Sequence, residues 1–153
     1  EMVGLDVFAS GGNEIVSAAK ALKKKKLLGF LADQDGYIHG LPVPFLGQPS
    51  SAVVGPATFA KKFGSPVVPI FASRKPEGGH IVHILPPLHY NNSGDDDVDM
   101  YTLTEECVRV TEDFIREHPD EWIWFQHRWM TKMSEIVDYD KKLEIRERAH
   151  EKQ

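Results

Sequence analysis

Blocks of apolar residues, separated by polar and glycine-rich stretches, divide the first half of the chain into three segments. Apolar residues at helical spacing within positions 12–25 predict a helix: Ile15, Ala18, Ala19 and Leu22. Residues 27–32 form a continuous apolar run, the pattern of a strand that is buried on both faces of a sheet. Residues 51–64 have the pattern of a second helix, which Gly64 ends.

The second half begins with two further apolar runs, residues 67–73 and 80–85. Gly78 and Gly79 mark a turn between them. Because this connection is short, the two runs are predicted to be buried strands of an antiparallel hairpin.

A longer helix is predicted over residues 102–118, after an acidic loop that we expect to be solvated. Thr102 and Glu105 have the spacing of a capping box, and Pro119 ends the helix. The apolar face of this helix consists of Leu103, Cys107, Val110 and Phe114. Residues 134–153 are charged and predict a terminal helix with a thin apolar stripe.

The order strand, loop, helix, strand is a βαβ arrangement, which predicts an α/β fold in which helices flank a mixed β-sheet. A chain of 153 residues is long enough for one ordinary hydrophobic core. We therefore assign residues 1–133 to a single domain and residues 134–153 to a charged C-terminal helix.

Charge and reactive residues exclude several function classes. The formal charge of −5 is modest, which argues against a nucleic-acid binder. The single cysteine, Cys107, cannot form an internal disulfide, and we interpret it as a core residue because no histidine is placed locally to activate it. His80 and His83 lack partners at ligand spacing, so no metal site is predicted. No apolar stretch is long enough to span a membrane.

Asp33, Gln34 and Asp35 follow directly after the apolar run 27–32. In open α/β sheets, ligands bind beyond the carboxyl ends of the strands, so these side chains are candidates for a ligand site. The next helix begins near Gly55, where its N-terminus is a candidate anion site. The alternative is that the two acids only cap the next turn through the local backbone.

Five blocks occur in order along the chain: "LADQD", "VPFLG", "GPATFAKKFG", "SPVVPIF" and "WIWFQHRW". In sequence and spacing they resemble the lipid A biosynthesis acyltransferase family, over residues 12 to about 132. The chain departs from the family at Leu46, where a second phenylalanine is usual, at Gln126, where histidine is frequent, and at Met130, where lysine is common. No family role is therefore transferred to Gln126 or to its neighbour His127.

The resemblance implies a catalytic dyad that this sequence lacks. Such acyltransferases use a histidine followed five positions later by Asp or Glu, in which the histidine is the general base. None of the 7 histidines here has an acid at that offset. In the family the dyad and an N-terminal membrane anchor precede the region that begins here with Glu1. We therefore interpret the chain as the C-terminal half of an acyltransferase, incomplete at the N-terminus and inactive alone.

The function implied by the resemblance is transfer of a fatty acyl group from an acyl carrier protein thioester to a hydroxyl of a lipid A precursor. This reaction of lipopolysaccharide biosynthesis takes place at the cytoplasmic face of the bacterial inner membrane and uses no cofactor. Two alternatives stay open. One is an acyltransferase for phosphatidylinositol mannosides or other glycolipids. The other is a non-catalytic module that binds lipid or carrier protein.

The resemblance also assigns candidate substrate-binding residues. Asp33, Gln34 and Asp35 would line the acceptor side of the site. Arg74 is a candidate for gripping phosphate, its alternative being an ordinary ion pair with an acid. Arg128 lies between aromatic residues, where a clamp through cation–π and carboxylate contacts is favoured over a substrate contact.

The aromatic and basic segments have open interpretations. Trp122 is expected in the core, whereas Trp124 and Trp129 fit either the core or a membrane interface. Lys23 to Lys26 are interpreted as a solvated helix end, with anionic lipid or the carrier protein as alternative partners.

Overall fold

The structure, a computed structural model, describes residues 14–151 and separates the chain into units of residues 1–30 and 31–153. In the first unit, helix α1 spans Glu14–Lys23, which confirms the predicted helix; its predicted first residues, 12 and 13, lie outside the described part. Lys20 and Lys23 occupy its last turn, where positive charge is favourable.

The strand predicted over residues 27–32 is not formed. These residues have no regular secondary structure, and Leu27 and Leu31 are 101% and 75% exposed. A continuous apolar run indicates a preference for burial, but a strand also needs a neighbour that pairs with its backbone. No strand pairing in the described range 14–151 includes this run, so the prediction of a buried strand is wrong.

The second unit begins with a long turn-rich loop. A single 3-10 turn at Tyr37–His39 leads into strand β1, Leu41–Pro42, which pairs antiparallel with strand β2, Ser51–Ala52. Between the strands the chain reverses at Leu46, whose φ is 49°, and at Gly47, whose φ is 77°. Both strands are buried although each has only 2 residues.

Helix α2 spans Gly55–Phe63 and confirms the second helix, with a later start than the predicted residue 51. The predicted start was wrong because Ser51–Ala52 pair with β1 as a strand. Pro56 lies in its first turn, where the missing N–H removes no helical hydrogen bond. Gly64 has a left-handed conformation with φ of 61° and ends the helix, which confirms the predicted role.

Strands β3, Ile70–Arg74, and β4, His80–Ile84, form the predicted antiparallel hairpin. Gly78 and Gly79 have φ of 96° and 84° in the turn, a conformation that glycine adopts without strain. One face packs on the next helix, where Phe71 stacks on Phe114 at a ring-centroid distance of 4.5 Å. The opposite face is exposed, so the prediction that both strands are buried is wrong.

Helix α3 spans Asp96–Glu117 and begins 6 residues before the predicted Thr102. The side chain of Asp95 accepts a hydrogen bond from Val98 N at 3.2 Å and caps the helix. The predicted capping box at Thr102 is wrong, because its hydroxyl donates within the helix to the carbonyl of Val98 at 2.9 Å. The acidic stretch predicted as a loop is the first turn, where carboxylates complement the helix dipole. The helix ends before Pro119, as predicted.

Helix α4 spans Tyr139–Glu151 and confirms the terminal helix, with a later start than predicted. It packs on α3 and buries Ile145 and Ala149. The main core combines these residues with others from β1, the loop between β1 and β2, β2 and α3: Leu41, Val43, Phe45, Ala52, Val98, Tyr101, Val108 and Ile115. A smaller cluster of Ala57, Ala60 and Leu103 joins α2 to α3.

The described part of the chain therefore contains 4 α-helices and two small antiparallel sheets. This mixture confirms the α/β class and is consistent with an acyltransferase-like fold. The strands lie in two separate pairs, β1 with β2 and β3 with β4. The expected βαβ unit is absent within residues 14–151, since the run that was to supply its first strand is not a strand. No helix in that range is both long and apolar enough to cross a bilayer.

Candidate functional site

Asp33 connects the loop before β1 to the aromatic segment, residues 122–131, which follows α3 in the sequence. Its Oδ2 accepts hydrogen bonds from the indole Nε1 of Trp122 at 3.0 Å and from the amide Nε2 of Gln126 at 3.2 Å. Trp122 is half-buried and packs against the main core, which agrees with its predicted position. Two of the five sequence blocks thus contact each other through this carboxylate.

Asp35 is buried, with 6% of its surface exposed, and both of its carboxylate oxygens accept hydrogen bonds. Oδ1 accepts from Tyr37 N at 2.7 Å and from the hydroxyl of Thr131 at 2.6 Å. Oδ2 accepts from Thr131 N at 3.0 Å. The contact with Tyr37 is the local turn cap that the sequence left open as an alternative. The contacts with Thr131 join the loop to the end of the aromatic segment.

Gln34 lies between these two acids in sequence and is exposed to solvent. The three candidates of this block therefore differ in their surroundings. Asp33 and Asp35 are engaged by protein donors, whereas the side chain of Gln34 faces water. The contribution of each to substrate binding stays a prediction.

The loop that carries these residues lies directly against β2. Gly36 N donates to the carbonyl of Ser51 at 3.0 Å, and the hydroxyl of Ser51 donates to the carbonyl of Tyr37 at 2.6 Å. A Cβ atom at Gly36 would lie 2.5 Å from the carbonyl oxygen of Ala52. Only glycine fits such a close approach of two backbones.

Arg128 lies in the interior of this assembly, with 1% of its surface exposed. Its Nη1 donates to the carbonyl of Ser51 at 2.8 Å, and its guanidinium carbon lies 4.5 Å from the ring centroid of Phe45. Burial lowers the pKa of Arg128, while the negative charges of Asp35 and Asp33 oppose this shift. The cation–π contact of the predicted clamp is thus present. The predicted carboxylate contact is not formed, since no carboxylate in the described part of the chain accepts a hydrogen bond from this guanidinium. The other two guanidinium nitrogens, Nε and Nη2, are buried without a hydrogen-bond partner.

We name this assembly the motif cluster and define it by Asp33, Asp35, Phe45, Ser51, Trp122, Gln126, Arg128 and Thr131. The ring centroid of Phe45 lies 5.4 Å from that of Trp122 and 5.8 Å from that of the neighbouring Trp129. Sequence reasoning missed Ser51 and Thr131. The only signal for Thr131 was its position immediately after the last block, and nothing marked Ser51.

Arg74, at the end of β3, contacts Asp120 and Glu121, which directly precede Trp122 in the sequence. Its Nε donates to Oε2 of Glu121 at 3.0 Å, its backbone N to Oε1 at 2.9 Å, and its Nη2 to the carbonyl of Asp120 at 3.0 Å. The hydrogen bond from the Arg74 backbone, with the guanidinium, lowers the pKa of Glu121. The alternative kept for Arg74, an ion pair with an acid, is thus observed. A phosphate contact stays a prediction.

Gly55 is the first residue of α2, and the residue before it, Val54, provides no side-chain cap. Val54 and Thr58 line a cavity of about 240 Å³ that also includes His39 and Lys142. Lys142 donates through Nζ to the carbonyl of Gly40 at 3.0 Å, and burial lowers its pKa. An anion at this helix end stays a prediction.

The remaining residues with reactive side chains, Cys107 and His83, contact neighbouring protein groups. Burial raises the pKa of the Cys107 thiol to about 11, so the thiolate is scarce at neutral pH. The Nε2 of His83 is 2.8 Å from the hydroxyl of Ser73 on the inner face of the hairpin. Within residues 14–151, no three His, Cys, Asp or Glu side chains are grouped as metal ligands.

The chain is similar in sequence to known acyltransferases. The chain is 24% identical over 138 residues to the phosphatidylinositol mannoside acyltransferases of two strains of Mycobacterium tuberculosis. The match covers 88% of this chain but only 42% of each relative, so the chain spans less than half of their length. The sequence profile of the bacterial lipid A biosynthesis acyltransferases matches residues 1–131, and the chain therefore belongs to that family.

Proposed function

We propose that this chain is part of an enzyme that transfers a fatty acyl group from acyl carrier protein to a hydroxyl of a lipid A precursor. The observation that carries the proposal is the family match over residues 1–131. The motif cluster supports it, since it joins three of the blocks that resemble the family in one packed assembly. The relatives in Mycobacterium tuberculosis are acyltransferases by name, which supports the reaction class.

In this proposal the loop of residues 33–35 faces the acceptor. Gln34 is the member of that block with an exposed side chain, so we expect its amide to contact acceptor hydroxyls. Asp33 and Asp35 hold the loop in place through Trp122 and Thr131. Arg74 and the N-terminus of α2 at Gly55 are the proposed contacts for acceptor phosphate.

A second candidate acceptor is favoured by the named relatives. These are phosphatidylinositol mannoside acyltransferases, and their acceptor is a mannosylated lipid rather than a glucosamine disaccharide. Both acceptors combine sugar hydroxyls with phosphate and acyl chains, which the same kind of site can bind. The enzyme would act at the cytoplasmic face of the inner membrane, with the dyad and membrane anchor supplied by chain upstream of Glu1.

The reaction is tested with this chain and a version extended upstream in its reading frame. We expect the extended protein to acylate one of the two acceptors from an acyl carrier protein thioester, and the chain alone to be inactive. Replacing the upstream dyad histidine by alanine should abolish turnover. His89→Ala, at an exposed position, is the matched control and should leave turnover unchanged.

The same assay separates the alternatives. Preference for the mannosylated acceptor would assign the enzyme to the glycolipid class of its named relatives. An extended protein that lacks a dyad and binds lipid without turnover would instead be a non-catalytic binding module. Turnover by the chain alone would contradict the upstream position of the general base.

A further inference from the structure

The guanidinium of Arg128 is a buried positive charge with an incomplete set of partners. Its one hydrogen bond within the described structure goes from Nη1 to the carbonyl of Ser51, which is a neutral acceptor. Nε and Nη2 are shielded from solvent and have no partner. A buried charge is costly unless it is paired and its donors are satisfied. An additional hydrogen-bond acceptor for Nε and Nη2 would therefore stabilise this guanidinium.

The neighbouring carboxylates are already engaged elsewhere. Asp35 accepts from Tyr37 and Thr131, and Asp33 accepts from Trp122 and Gln126. A third carboxylate, that of Glu112, accepts from Leu46 N at 2.8 Å and pairs with Arg116. Their negative charges favour the charged form of Arg128 at a distance, but none of them accepts a hydrogen bond from Nε or Nη2.

The free part of the guanidinium has a defined shape. Phe45 covers the flat face, with its ring centroid 4.5 Å from the guanidinium carbon, and Nη1 is used. The remaining Nε and Nη2 form one edge with two parallel N–H groups. Such an edge matches two oxygens of a carboxylate or a phosphate and binds them bidentately.

The segment that carries Arg128 is attached to the rest of the protein mainly through side-chain contacts. Residues 122–130 form neither helix nor strand, and Ile123 and Phe125 are 68% and 95% exposed. Contacts of Trp122 and Gln126 with Asp33 attach this segment to the loop. Trp122 and Trp129 pack against the main core, so these contacts must break when the segment opens. Segments that have no helix or strand of their own can open locally without global unfolding, which gives a route to the buried edge.

We propose that the Nε–Nη2 edge of Arg128 binds an oxyanion, a phosphate or carboxylate group, which enters when residues 122–130 move away from Asp33. The inference goes beyond the proposed function because it concerns binding at an interior site and requires neither an acyl donor nor the dyad. The oxyanion can come from a free small molecule or from a lipid headgroup. Both sources present the same pair of oxygens to the guanidinium.

The test uses the chain with inorganic phosphate, titrated at constant ionic strength and followed by calorimetry. We expect saturable binding that weakens about tenfold or more in Arg128→Lys, since lysine keeps the charge but lacks the two-pronged edge. Arg109→Lys, at an exposed position on α3, is the matched control and should bind as the parent chain does. Absence of saturable binding, or equal binding by Arg128→Lys, would overturn the proposal.

Two further measurements complete the test. If Arg128→Lys does not fold, the parent chain alone is used. Its buried guanidinium is expected to give a slowly exchanging arginine Nε–H signal that shifts with phosphate, and an unchanged signal would overturn the proposal. Sedimentation with phosphatidylglycerol vesicles, compared with phosphatidylcholine, separates the two sources. Binding to the anionic vesicles that depends on Arg128 supports a lipid headgroup. Phosphate binding without vesicle binding supports a free anion.

Discussion

Asp35 and Thr131 are 96 positions apart in the sequence and share two hydrogen bonds, at 2.6 and 3.0 Å. Through this pair, the loop before β1 and the end of the aromatic segment hold each other in place. The donors are a hydroxyl and a backbone N–H, and both meet a carboxylate that is buried. Charge-assisted hydrogen bonds of this kind are roughly twice as strong as neutral ones.

Asp35→Asn should therefore destabilise the chain. The amide nitrogen replaces one of the two oxygens. At Oδ2 it cannot accept from Thr131 N, and at Oδ1 it cannot accept from Tyr37 N, so in either case two buried donors face each other. We expect a loss of about 2–4 kcal/mol in the free energy of unfolding, measured in urea. Gln34→Ala, at the exposed neighbouring position, is the control and should change the free energy by less than about 0.5 kcal/mol. Equal effects of the two substitutions would contradict the buried role of Asp35.

Gly36→Ala tests the close approach of the loop to β2. The added methyl group would lie 2.5 Å from the carbonyl oxygen of Ala52, so one backbone must shift. We expect a loss of about 1–3 kcal/mol in the free energy of unfolding. Gly29→Ala is the matched control, because nothing lies within 4 Å of its added methyl group. If Gly36→Ala is as stable as Gly29→Ala, the loop does not lie against β2 as described.

The start of α3 can be tested by comparing two caps. Asp95 caps the helix and also pairs with Arg148, so Asp95→Ala should lower the free energy of unfolding by about 1 kcal/mol or more. Thr102→Ala should have a smaller effect, since its hydroxyl donates to a carbonyl within the helix. Thermal unfolding followed by circular dichroism measures both. A larger loss of stability in Thr102→Ala than in Asp95→Ala would indicate that the helix begins at Thr102, as predicted from the sequence.

The contact between Arg74 and Glu121 predicts a dependence of stability on pH. Arg74 lowers the pKa of Glu121 from its ordinary 4.5, so the folded state favours the charged carboxylate. This contribution is present above pH 4.5 and is lost as the pH falls through the lower folded-state value. The urea midpoint of the parent chain should therefore drop in this acidic window. Arg74→Ala keeps the backbone hydrogen bond, which is the largest cause of the shift, and loses only the guanidinium contribution, so its midpoint should drop slightly less. If the urea midpoints of the two proteins fall equally with pH, the guanidinium of Arg74 does not contribute to the lowered pKa of Glu121.

The thiol of Cys107 should be unreactive in the folded chain. Its pKa of about 11, raised from 9.0, reduces the thiolate at pH 8 about a hundredfold. Alkylation by iodoacetamide should therefore be slower by about that factor in buffer than in denaturant. A folded-state rate close to the unfolded rate would show an accessible thiolate, and the residue would then have to be considered for chemistry.

The sequence predicted local structure where the local pattern decides it. Helices α1, α2 and α4 and the β3–β4 hairpin follow from apolar spacing and from glycines that end or turn the chain. The start of α3 was missed because a run of acids resembles a loop in composition, although the same acids stabilise a helix N-terminus. Residues 27–32 were misjudged because an apolar run shows no sign of whether a neighbouring strand exists.

The candidate site was predicted only in part, for a related reason. Family blocks identified Asp33, Asp35 and Arg128 as residues of interest, and aromatic neighbours indicated the clamp around Arg128. Apart from the local bond between Asp35 and Tyr37 N, the hydrogen-bond partners of these residues lie 77 to 96 positions away, and periodicity carries no information over such separations. Which carboxylate meets which donor could only be seen in the folded chain.

The hydrogen bond between Gln126 and Asp33 affects the pH range over which the motif cluster is stable. The resemblance implies that many members of the family have histidine at this position. An imidazole gains or loses a proton between about pH 5 and 8, so its hydrogen bond to a carboxylate would change with pH. The amide of Gln126 donates at 3.2 Å and does not titrate. The hydrogen bond between Gln126 and Asp33 therefore does not depend on a proton that is gained or lost near neutral pH.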